Sequence, residues 1–222
     1  MKDNFDMLLA SCIHDMKNAI SLILNSVDHL NTDCTKDTVR HLANLNYEAS
    51  RLNNDLIHLL GVYRLGQDHL HVVIDEHDIW EVVQEQFLKN SSLMEKYGID
   101  VSIKGEEDEQ WYFDPELIAS IINNVLVNTV RYTKSKIQIS LYHKDDFLCI
   151  EICDDGIGYP DNMISSPGTT EQNLDFRNGS TKLGLYFASK IASMHKNGEK
   201  AGCISLQNGG ELGGGVFRLM LP

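Results

Sequence analysis

An imidazole with a carboxylate beside it stands near the start of the chain, in the run from Ser11 to Asn18. The polar members of this run include His14, Asp15 and Asn18. His14 and Asn18 are four residues apart, so a helix places them on one face. A histidine directed outward next to a carboxylate is a candidate nucleophile with its own base. The same pair is also typical of a solvated helix face, and the spacing alone does not separate the two interpretations.

A second group of polar residues follows an apolar helical pattern in the middle of the chain. Asn124 and Asn128 are four apart, so their amide oxygens project from one side of a helix. Uncharged oxygens suit Mg²⁺, which keeps part of its water and takes other ligands from phosphate. Arg131 could counter phosphate charge, and Tyr132 offers a flat face to a base. The alternative is structural, because paired asparagines in a helix can simply bond to each other.

Two glycine-containing runs complete the set of candidate residues. Asp154, Gly156 and Gly158 lie where a predicted strand ends. Glycine allows the backbone to approach a ligand closely, and a carboxylate there could accept a hydrogen bond from an exocyclic amine. The same pattern is common in simple turns. The run Ser180 to Leu185 opens a predicted helix, whose N-terminus is suited to phosphate.

The elements that must position these residues fall into two parts. Apolar residues repeat at alternating spacings of three and four over 5–30 and again over 42–63, and turn-forming residues interrupt the pattern at 31–35. The pattern predicts two helices in an antiparallel hairpin. The apolar stripes are too wide for one hairpin to bury, so we expect a second copy to complete a four-helix bundle. The alternative is that the hairpin packs on the C-terminal part of the chain.

After residue 67 the pattern changes to mixed helices and strands. The predicted strands are 71–74, 99–103, 111–113, 137–142, 147–153, 203–207 and 216–221, and the predicted helices are 78–97, 115–131 and 183–195. Asp114 and Pro115 form a typical helix start, and Gly98 a typical helix end. Residues 155–181 read as a long loop of the kind that covers a site. This part is predicted to be an α+β domain.

Composition excludes several classes of protein. The 222 residues carry a net charge of −13, which argues against nonspecific nucleic-acid binding. Five cysteines without a CxxC pair do not indicate a disulfide framework or a zinc site. No apolar run is long enough to span a membrane, and the first residues lack the order of a signal peptide. A reduced, cytoplasmic setting is the expectation, with any membrane or sensor segment lying outside this chain.

The order of these motifs resembles that of the histidine kinase family over nearly the whole chain. The run at 14–18 is similar to the phosphoacceptor box, although the proline often found next is here Ala19. The runs at 124–133, 154–158 and 182–185 are similar to the N box and the first and second glycine boxes. The final strand, at 213–222, is also similar to that of the family.

The resemblance implies a division of labour between two domains. Residues 1–67 would be the dimerisation and phosphotransfer hairpin, and residues 68–222 the ATP-binding catalytic domain, an α/β sandwich of the histidine kinase ATPase type. His14 would accept the γ-phosphoryl group of ATP, with Asp15 as the base. Asn18 stands where the family places an amide that orients water to dephosphorylate a response-regulator aspartate. The partners implied are a second copy of the chain and a response-regulator receiver domain.

The resemblance also assigns a nucleotide site with ATP and Mg²⁺. Asn128 would be the principal Mg²⁺ ligand, and Asn124 a secondary ligand or an aid to positioning. Arg131 would approach the phosphates, Tyr132 would stack on adenine and Asp154 would read its amino group. The residues assigned to nucleotide binding are Asn124, Asn128, Arg131, Tyr132, Asp154, Gly156, Gly158, Thr181, Lys182, Leu183 and Gly184.

One departure from the family pattern supports a rival interpretation. The family usually has glycines two and four residues before Gly184, where this chain has Lys182 and Ser180. Side chains there could crowd a triphosphate, or Lys182 could supply a cation to it. The motifs taken together nevertheless resemble the family, and this resemblance predicts a protein-histidine kinase. The alternative is a histidine phosphotransferase or partner-docking protein whose degenerate nucleotide domain does not bind ATP.

Overall fold

The chain forms two compact units, one from Met1–Leu70 and Thr170–Gly184 and the other from His71–Thr169 and Leu185–Pro222. The computed structural model describes residues 16, 18, 20–23, 45, 48, 49, 52, 61, 71–165, 167 and 183–222. The described residues between 16 and 61 are all helical, which agrees with helices there. Most of the predicted hairpin lies outside the described residues, so the hairpin and its dimeric bundle stay predictions. No helix within the described part of the chain has the length and apolar character needed to cross a membrane.

The second unit contains most of the regular structure, in the order β1, α1, β2, β3, α2, β4, β5, α3, α4, β6, β7, β8 and β9. The strands are β1 Asp75–Asp78, β2 Asp100–Lys104, β3 Gln110–Phe113, β4 Lys136–Lys144, β5 Phe147–Asp154, β6 Lys196–Asn197, β7 Lys200–Ala201, β8 Cys203–Asn208 and β9 Gly215–Leu221. The helices are α1 Ile79–Tyr97, α2 Pro115–Tyr132, α3 Asp161–Ile164 and α4 Leu183–Met194.

A five-stranded mixed sheet in the order β2-β4-β5-β9-β8 organises the unit. β2 runs parallel to β4, and the other neighbours are antiparallel. Two further ribbons pair β1 with β3 and β6 with β7. The predicted strand at 71–74 is wrong: the strand is Asp75–Asp78, whose polar sequence gives no apolar alternation. Its register is fixed instead by antiparallel pairing with β3, Asp75 opposite Phe113.

One face of the sheet is apolar and forms half of the core. Ile139, Ile152 and Phe217 lie side by side on adjacent strands and are fully buried. The helices supply the other half of the core from the buried side chains Ile79, Val83, Met94, Ile118, Ile121, Ile122, Val125, Leu126, Val130, Phe187, Ala188, Ile191 and Ala192. This arrangement is a two-layer α/β sandwich. The opposite face is polar and carries an ion pair between Arg218 and Glu151.

The helix ends lie where the sequence predicts them. Asp78 and Asp114 are the N-caps of α1 and α2, and their carboxylates accept backbone N–H groups of the first turn. Gly98 ends α1 with φ of 65°, a left-handed conformation that glycine adopts without a steric penalty. The Asp114 cap fixes the residue at which α2 begins.

A buried polar junction connects the beginning of α2 to the end of α4. The backbone N–H of Asp114 donates to Nε2 of His195 at 3.0 Å, and Nδ1 of His195 lies 2.9 Å from the carbonyl of Ile191. The Asp114 carboxylate accepts from the N–H of Val73 at 2.9 Å and from that of Leu117 at 3.1 Å. Both ring nitrogens of His195 are therefore used, and Nδ1 carries the proton.

Candidate functional site

Asn124 and Asn128 lie on the last two turns of α2 and bond to each other. Asn124 is buried and Asn128 is exposed. Nδ2 of Asn128 donates to Oδ1 of Asn124 at 3.1 Å, which fixes the orientation of both amides. Oδ1 of Asn128 makes no hydrogen bond within the described part of the chain. The mutual bond that the sequence left open is present, and it leaves the carbonyl oxygen of Asn128 available to a ligand.

Arg131 and Tyr132 end the same helix and are both exposed. The guanidinium carbon of Arg131 lies 5.6 Å from the centroid of the Tyr132 ring, within cation–π range. The Tyr132 residue as a whole is 39% exposed. A cation and an aromatic surface thus stand beside the asparagine pair.

Asp154, at the end of β5, is a buried carboxylate with one oxygen in use. Its Oδ1 accepts the N–H groups of Gly156 at 2.7 Å and of Gly215 at 3.2 Å. Its Oδ2 makes no hydrogen bond to any described residue. Burial raises the pKa of Asp154 above its usual range, although the two backbone hydrogen bonds oppose the shift. The second oxygen is a strong acceptor without a partner.

The backbone around Asp154 is packed so closely that only glycine fits. A Cβ atom on Gly215 would lie 2.8 Å from Oδ2 of Asp154, and one on Gly214 would lie 2.5 Å from Oδ1. A Cβ on Gly156 would lie 2.0 Å from the carbonyl oxygen of Tyr132. Residues 154–159 are called the glycine loop. The last contact shows that the C-terminal end of α2 packs directly against this loop.

Asp155 binds the connection between α2 and β4. Its carboxylate accepts the N–H groups of Lys134, Ser135 and Lys136 at 2.9, 2.9 and 3.1 Å, and the hydroxyl of Ser135 at 2.7 Å. Its own N–H donates to the carbonyl of Lys136 at 3.2 Å. Burial works against the charge, but these hydrogen bonds together lower the pKa of Asp155 well below its usual range. The carboxylate is therefore ionised and fully engaged.

Asn208, at the end of β8, binds the other end of the glycine loop. Its Oδ1 accepts the N–H of Tyr159 at 2.6 Å, and its Nδ2 donates to the carbonyl of Tyr159 at 2.8 Å. A Cβ on Gly158 would lie 2.5 Å from the Asn208 side chain, so this position also requires glycine. The ring of Tyr159 lies against Gly215, and burial raises the pKa of its hydroxyl.

The structure brings together the first two nucleotide motifs and leaves the remaining predicted residues undetermined. The end of α2 and the glycine loop meet at Tyr132 and Gly156. Thr181, Lys182 and Ser180 lie outside the described residues, Leu183 is described only as the first residue of α4, and Gly184 is buried in the first turn. His14 and Asp15 are also outside the described residues. Asn18 is helical and exposed in the other unit.

Four residues that contribute to the site were missed by sequence reasoning. Asp155 was visible only as the second carboxylate of a pair, and its hydrogen bonds cross 19 to 21 residues. Asn208 is 49 residues from Tyr159 in sequence and belongs to no motif. Gly214 and Gly215 were read as part of the last strand. The repeated glycines before that strand were the available signal for a close backbone approach.

The donor set fits an adenine nucleotide and Mg²⁺. Asp154 offers an oxygen that has no partner among the described residues and lies beside Gly215, which suits an exocyclic amino group. Asn128 offers a neutral amide oxygen, a ligand type that Mg²⁺ accepts when phosphates supply other ligands. Among the described residues no three His, Cys, Asp or Glu side chains converge on a metal position.

Comparison with known proteins agrees with this geometry. Residues 113–222 match the family of histidine kinase-, DNA gyrase B- and HSP90-like ATPases. The sensor histidine kinase CssS of Bacillus subtilis is 27% identical over 222 residues, which covers 97% of this chain and 46% of that protein. Sensor protein SrrB of Staphylococcus aureus is 25% identical over 236 residues, covering all of this chain and 38% of SrrB. The chain thus spans less than half the length of these relatives.

Solved structures share the fold. Histidine kinase AdeS of Acinetobacter baumannii superposes with a TM-score of 0.66 at 16% identity, over 94% of this chain and 96% of AdeS. The catalytic domain of histidine kinase ThkA superposes with a TM-score of 0.56 at 21% identity, over 68% of this chain and 96% of that domain. The family match, the relatives and the site geometry agree: residues 113–222 form a domain of the histidine kinase-, DNA gyrase B- and HSP90-like ATPase family, and nearly the whole chain is similar to sensor histidine kinases.

Proposed function

We propose that the second unit binds Mg·ATP at the end of α2 and the glycine loop. Oδ2 of Asp154 accepts a hydrogen bond from the adenine amino group, and the Tyr132 ring stacks on the base. Gly156 and Gly158 let the loop approach the ligand closely. The support for this role is Oδ2 of the largely buried Asp154, which has no partner among the described residues, while Oδ1 already accepts two backbone N–H groups.

The phosphates lie toward the exposed residues of α2 in this proposal. Oδ1 of Asn128 holds Mg²⁺, and Asn124 orients that amide through its 3.1 Å hydrogen bond. The bound metal would neutralise charge on the phosphate oxygens. Arg131 adds a guanidinium on the same side. Thr181, Lys182, Leu183 and Gly184, at the start of α4, contribute N–H groups and a lysine cation to the phosphates.

The phosphoryl acceptor is His14, on the N-terminal hairpin of residues 1–67. An imidazole nitrogen forms the new P–N bond, the bond from the γ-phosphorus to the ADP oxygen breaks, and Asp15 accepts the proton that the imidazole loses. The catalytic domain of residues 68–222 supplies the nucleotide. We propose that two hairpins form a four-helix bundle in a cytoplasmic homodimer. The half-exposed Ile20 and Leu22 of the single chain supply apolar surface for such an interface.

The phosphoryl group then passes to an aspartate on a response-regulator receiver domain. This step rests on the family and on a solved complex of the histidine kinase ThkA with the response regulator TrrA, to which this chain is similar at 18% identity and a TM-score of 0.62. Asn18 orients water for a separate reaction, the hydrolysis of the regulator's aspartyl phosphate to aspartate and inorganic phosphate. Asn18 is helical and exposed, and it follows His14 by four residues in the sequence.

Calorimetry of the full chain with Mg·ADP and with a nonhydrolysable ATP analogue tests the nucleotide site. Binding at micromolar to millimolar concentration is expected, and it should be lost in Asn128→Ala. Absence of binding at millimolar nucleotide would refute the kinase. If nucleotide binds, ATP labelled at the γ-position should give an acid-labile, base-stable phosphoprotein, and the label should disappear in His14→Ala.

The rival function is a histidine phosphotransferase or docking protein. The observation that favours it is the presence of Ser180 and Lys182 where glycines are usual in the family. In that case His14 would receive its phosphoryl group from another phosphoprotein rather than from ATP. Transfer from a phosphorylated receiver domain to His14 in a chain that does not bind nucleotide would establish it.

A further inference from the structure

The glycine loop is held at both ends by side chains that lie outside the ligand recess. At its start, the Asp155 carboxylate accepts four hydrogen bonds from the connection between α2 and β4, at 2.7 to 3.1 Å. At its end, the Asn208 amide makes two hydrogen bonds with the backbone of Tyr159, at 2.6 and 2.8 Å. The two contacts belong to different strands of the sheet.

The start of the loop determines where Tyr132 lies relative to Asp154. Tyr132 ends α2, and the connection that Asp155 binds begins two residues later. The Tyr132 carbonyl also packs against Gly156, so the loop and the helix end touch without space between them. If the Asp155 side-chain contacts were lost, the connection after the helix would be tied to β5 only by the Asp155 N–H bond to Lys136 and by the pairing of β4 with β5.

The end of the loop determines the shape of the recess on the other side of Asp154. The Asn208 side chain accepts the N–H of Tyr159 and donates to the carbonyl of Tyr159. It thus makes the two backbone hydrogen bonds that a neighbouring strand would otherwise make with Tyr159. Tyr159 in turn packs its ring against Gly215, whose N–H donates to Asp154. A change at Asn208 therefore reaches Asp154 through Tyr159 and Gly215.

We propose that Asp155 and Asn208 are positioning residues that hold the glycine loop in its base-binding conformation. The loop therefore loses little conformational entropy when an adenine nucleotide binds. The inference rests on the proposed nucleotide site and adds to it two residues that do not touch the nucleotide. Preorganisation of this kind raises affinity by removing the cost of immobilising a loop. It also sharpens selection of the base, because the acceptor of Asp154 is then held at one place.

The test is calorimetry of the full chain with Mg·ADP and Mg·GDP. Asp155→Ala and Asn208→Ala should each weaken ADP binding about tenfold, the loss expected when about 1.4 kcal/mol of preorganisation is removed. GDP binding should change less than threefold, so the preference for adenine falls. A purely structural role would weaken both nucleotides equally or neither. Equal losses, or an unchanged preference, would overturn the proposal.

Conservative variants separate positioning from bulk destabilisation. Asp155→Asn keeps one oxygen for the three N–H donors and should retain most of the affinity. Asn208→Asp removes the donor to the Tyr159 carbonyl and places a carboxylate against it, so it should be as weak as Asn208→Ala. The matched controls are Asp75→Ala in β1 and Asn197→Ala in β6, both exposed positions away from the loop. Neither control should change the preference.

If the proposed function is wrong, the experiments give a different result than if Asp155 and Asn208 have no positioning role. If the wild-type chain binds no nucleotide, the nucleotide site is refuted. Amide hydrogen exchange then tests by itself whether Asp155 and Asn208 hold the glycine loop in place. The backbone amides of residues 156–159 should exchange at least tenfold faster in both alanine variants, while those of α1 stay protected. Unchanged exchange of the loop amides would refute the positioning role in either case.

Discussion

The two ends of α2 are built from similar residue types and behave in opposite ways. At its N-terminus, every hydrogen-bonding atom of the Asp114 carboxylate and the His195 ring has a partner. At its C-terminus, Oδ1 of Asn128 and Oδ2 of Asp154 have none within the described part of the chain, and Arg131 is exposed. Satisfied polar groups stabilise the fold, and unsatisfied ones are available for a ligand. The first end is structural and the second is suited to function.

The largest expected effect is at the open end, in Asp154→Asn. Nucleotide affinity should fall about 100-fold, which corresponds to about 2.7 kcal/mol, because the amide nitrogen or a weakened acceptor faces the adenine amino group. The pKa of Asp154 is raised in the folded state by burial, so its charge opposes folding once the pH rises through that pKa. The variant removes this charge and should therefore unfold at the same temperature or higher at neutral pH. Calorimetry and thermal unfolding measure the two effects, and a large loss of stability would contradict the assignment.

The next largest effect is at the closed end, in Asp114→Ala. Loss of the N-cap and of the bond to Val73 should lower the free energy of unfolding by about 2 kcal/mol. Both tryptophans, Trp80 and Trp111, lie in this unit, so urea unfolding followed by tryptophan fluorescence reports on it. Nucleotide affinity of the folded protein should stay within twofold. A tenfold change in affinity would mean that the two ends of α2 are coupled.

The exposed ring of Tyr132 should contribute to affinity and not to stability. Tyr132→Ala should weaken Mg·ADP binding about tenfold, since stacking of a base on an aromatic ring contributes about 1–3 kcal/mol. Tyr132→Phe retains the ring and is the control, with an expected change under twofold. The melting temperature should be the same in both variants. Equal affinity in Tyr132→Ala and wild type would remove this residue from the site.

The smallest expected effect is a pH dependence of stability, which arises from His195 at the N-terminal end of α2. Burial lowers the pKa of His195, and its bond to Ile191 and the nearby Asp114 charge compensate only in part. The unfolded state therefore binds a proton that the folded state does not, and stability falls as the pH drops below the ordinary histidine range. Relative to His195→Gln, the wild type should lose stability below about pH 6.5, with an extra slope of at most about 1.4 kcal/mol per pH unit. Parallel profiles of the two proteins in urea titrations between pH 5 and 8 would show that His195 is not held neutral.

Local patterns in the sequence were sufficient for α1, α2 and α4 and for most strands, but the short helix α3, Asp161–Ile164, lies in the stretch predicted to be a loop. The caps Asp78, Gly98 and Asp114 have effects that extend only a few residues, so their meaning does not depend on the rest of the fold. The polar strand β1 could not be predicted, because its position is set by pairing with β3 and not by its own composition.

The same distinction applies to the site. Asn124, Asn128 and Asp154 stand in short motifs with recognisable spacing. Asp155 and Asn208 act across 19 or more residues, and their partners are backbone atoms, which carry no sequence signal. The hydrogen bond between the two asparagines was an open alternative, and the structure shows that it is compatible with a free oxygen on Asn128.

The pairing of β5 with β9 has a consequence for how this protein can vary. Leu148 pairs with Leu221 and Cys153 with Val216. β5 and β9 are therefore neighbours in the sheet, although the chain that connects them includes residues 155–182. The entropy of closing a long connection grows only slowly, and doubling its length adds only about 0.6 kcal/mol. Insertions in the part of that segment that follows the glycine loop can therefore accumulate with little cost in loop-closure entropy. Drift in nucleotide affinity need not be accompanied by loss of the fold.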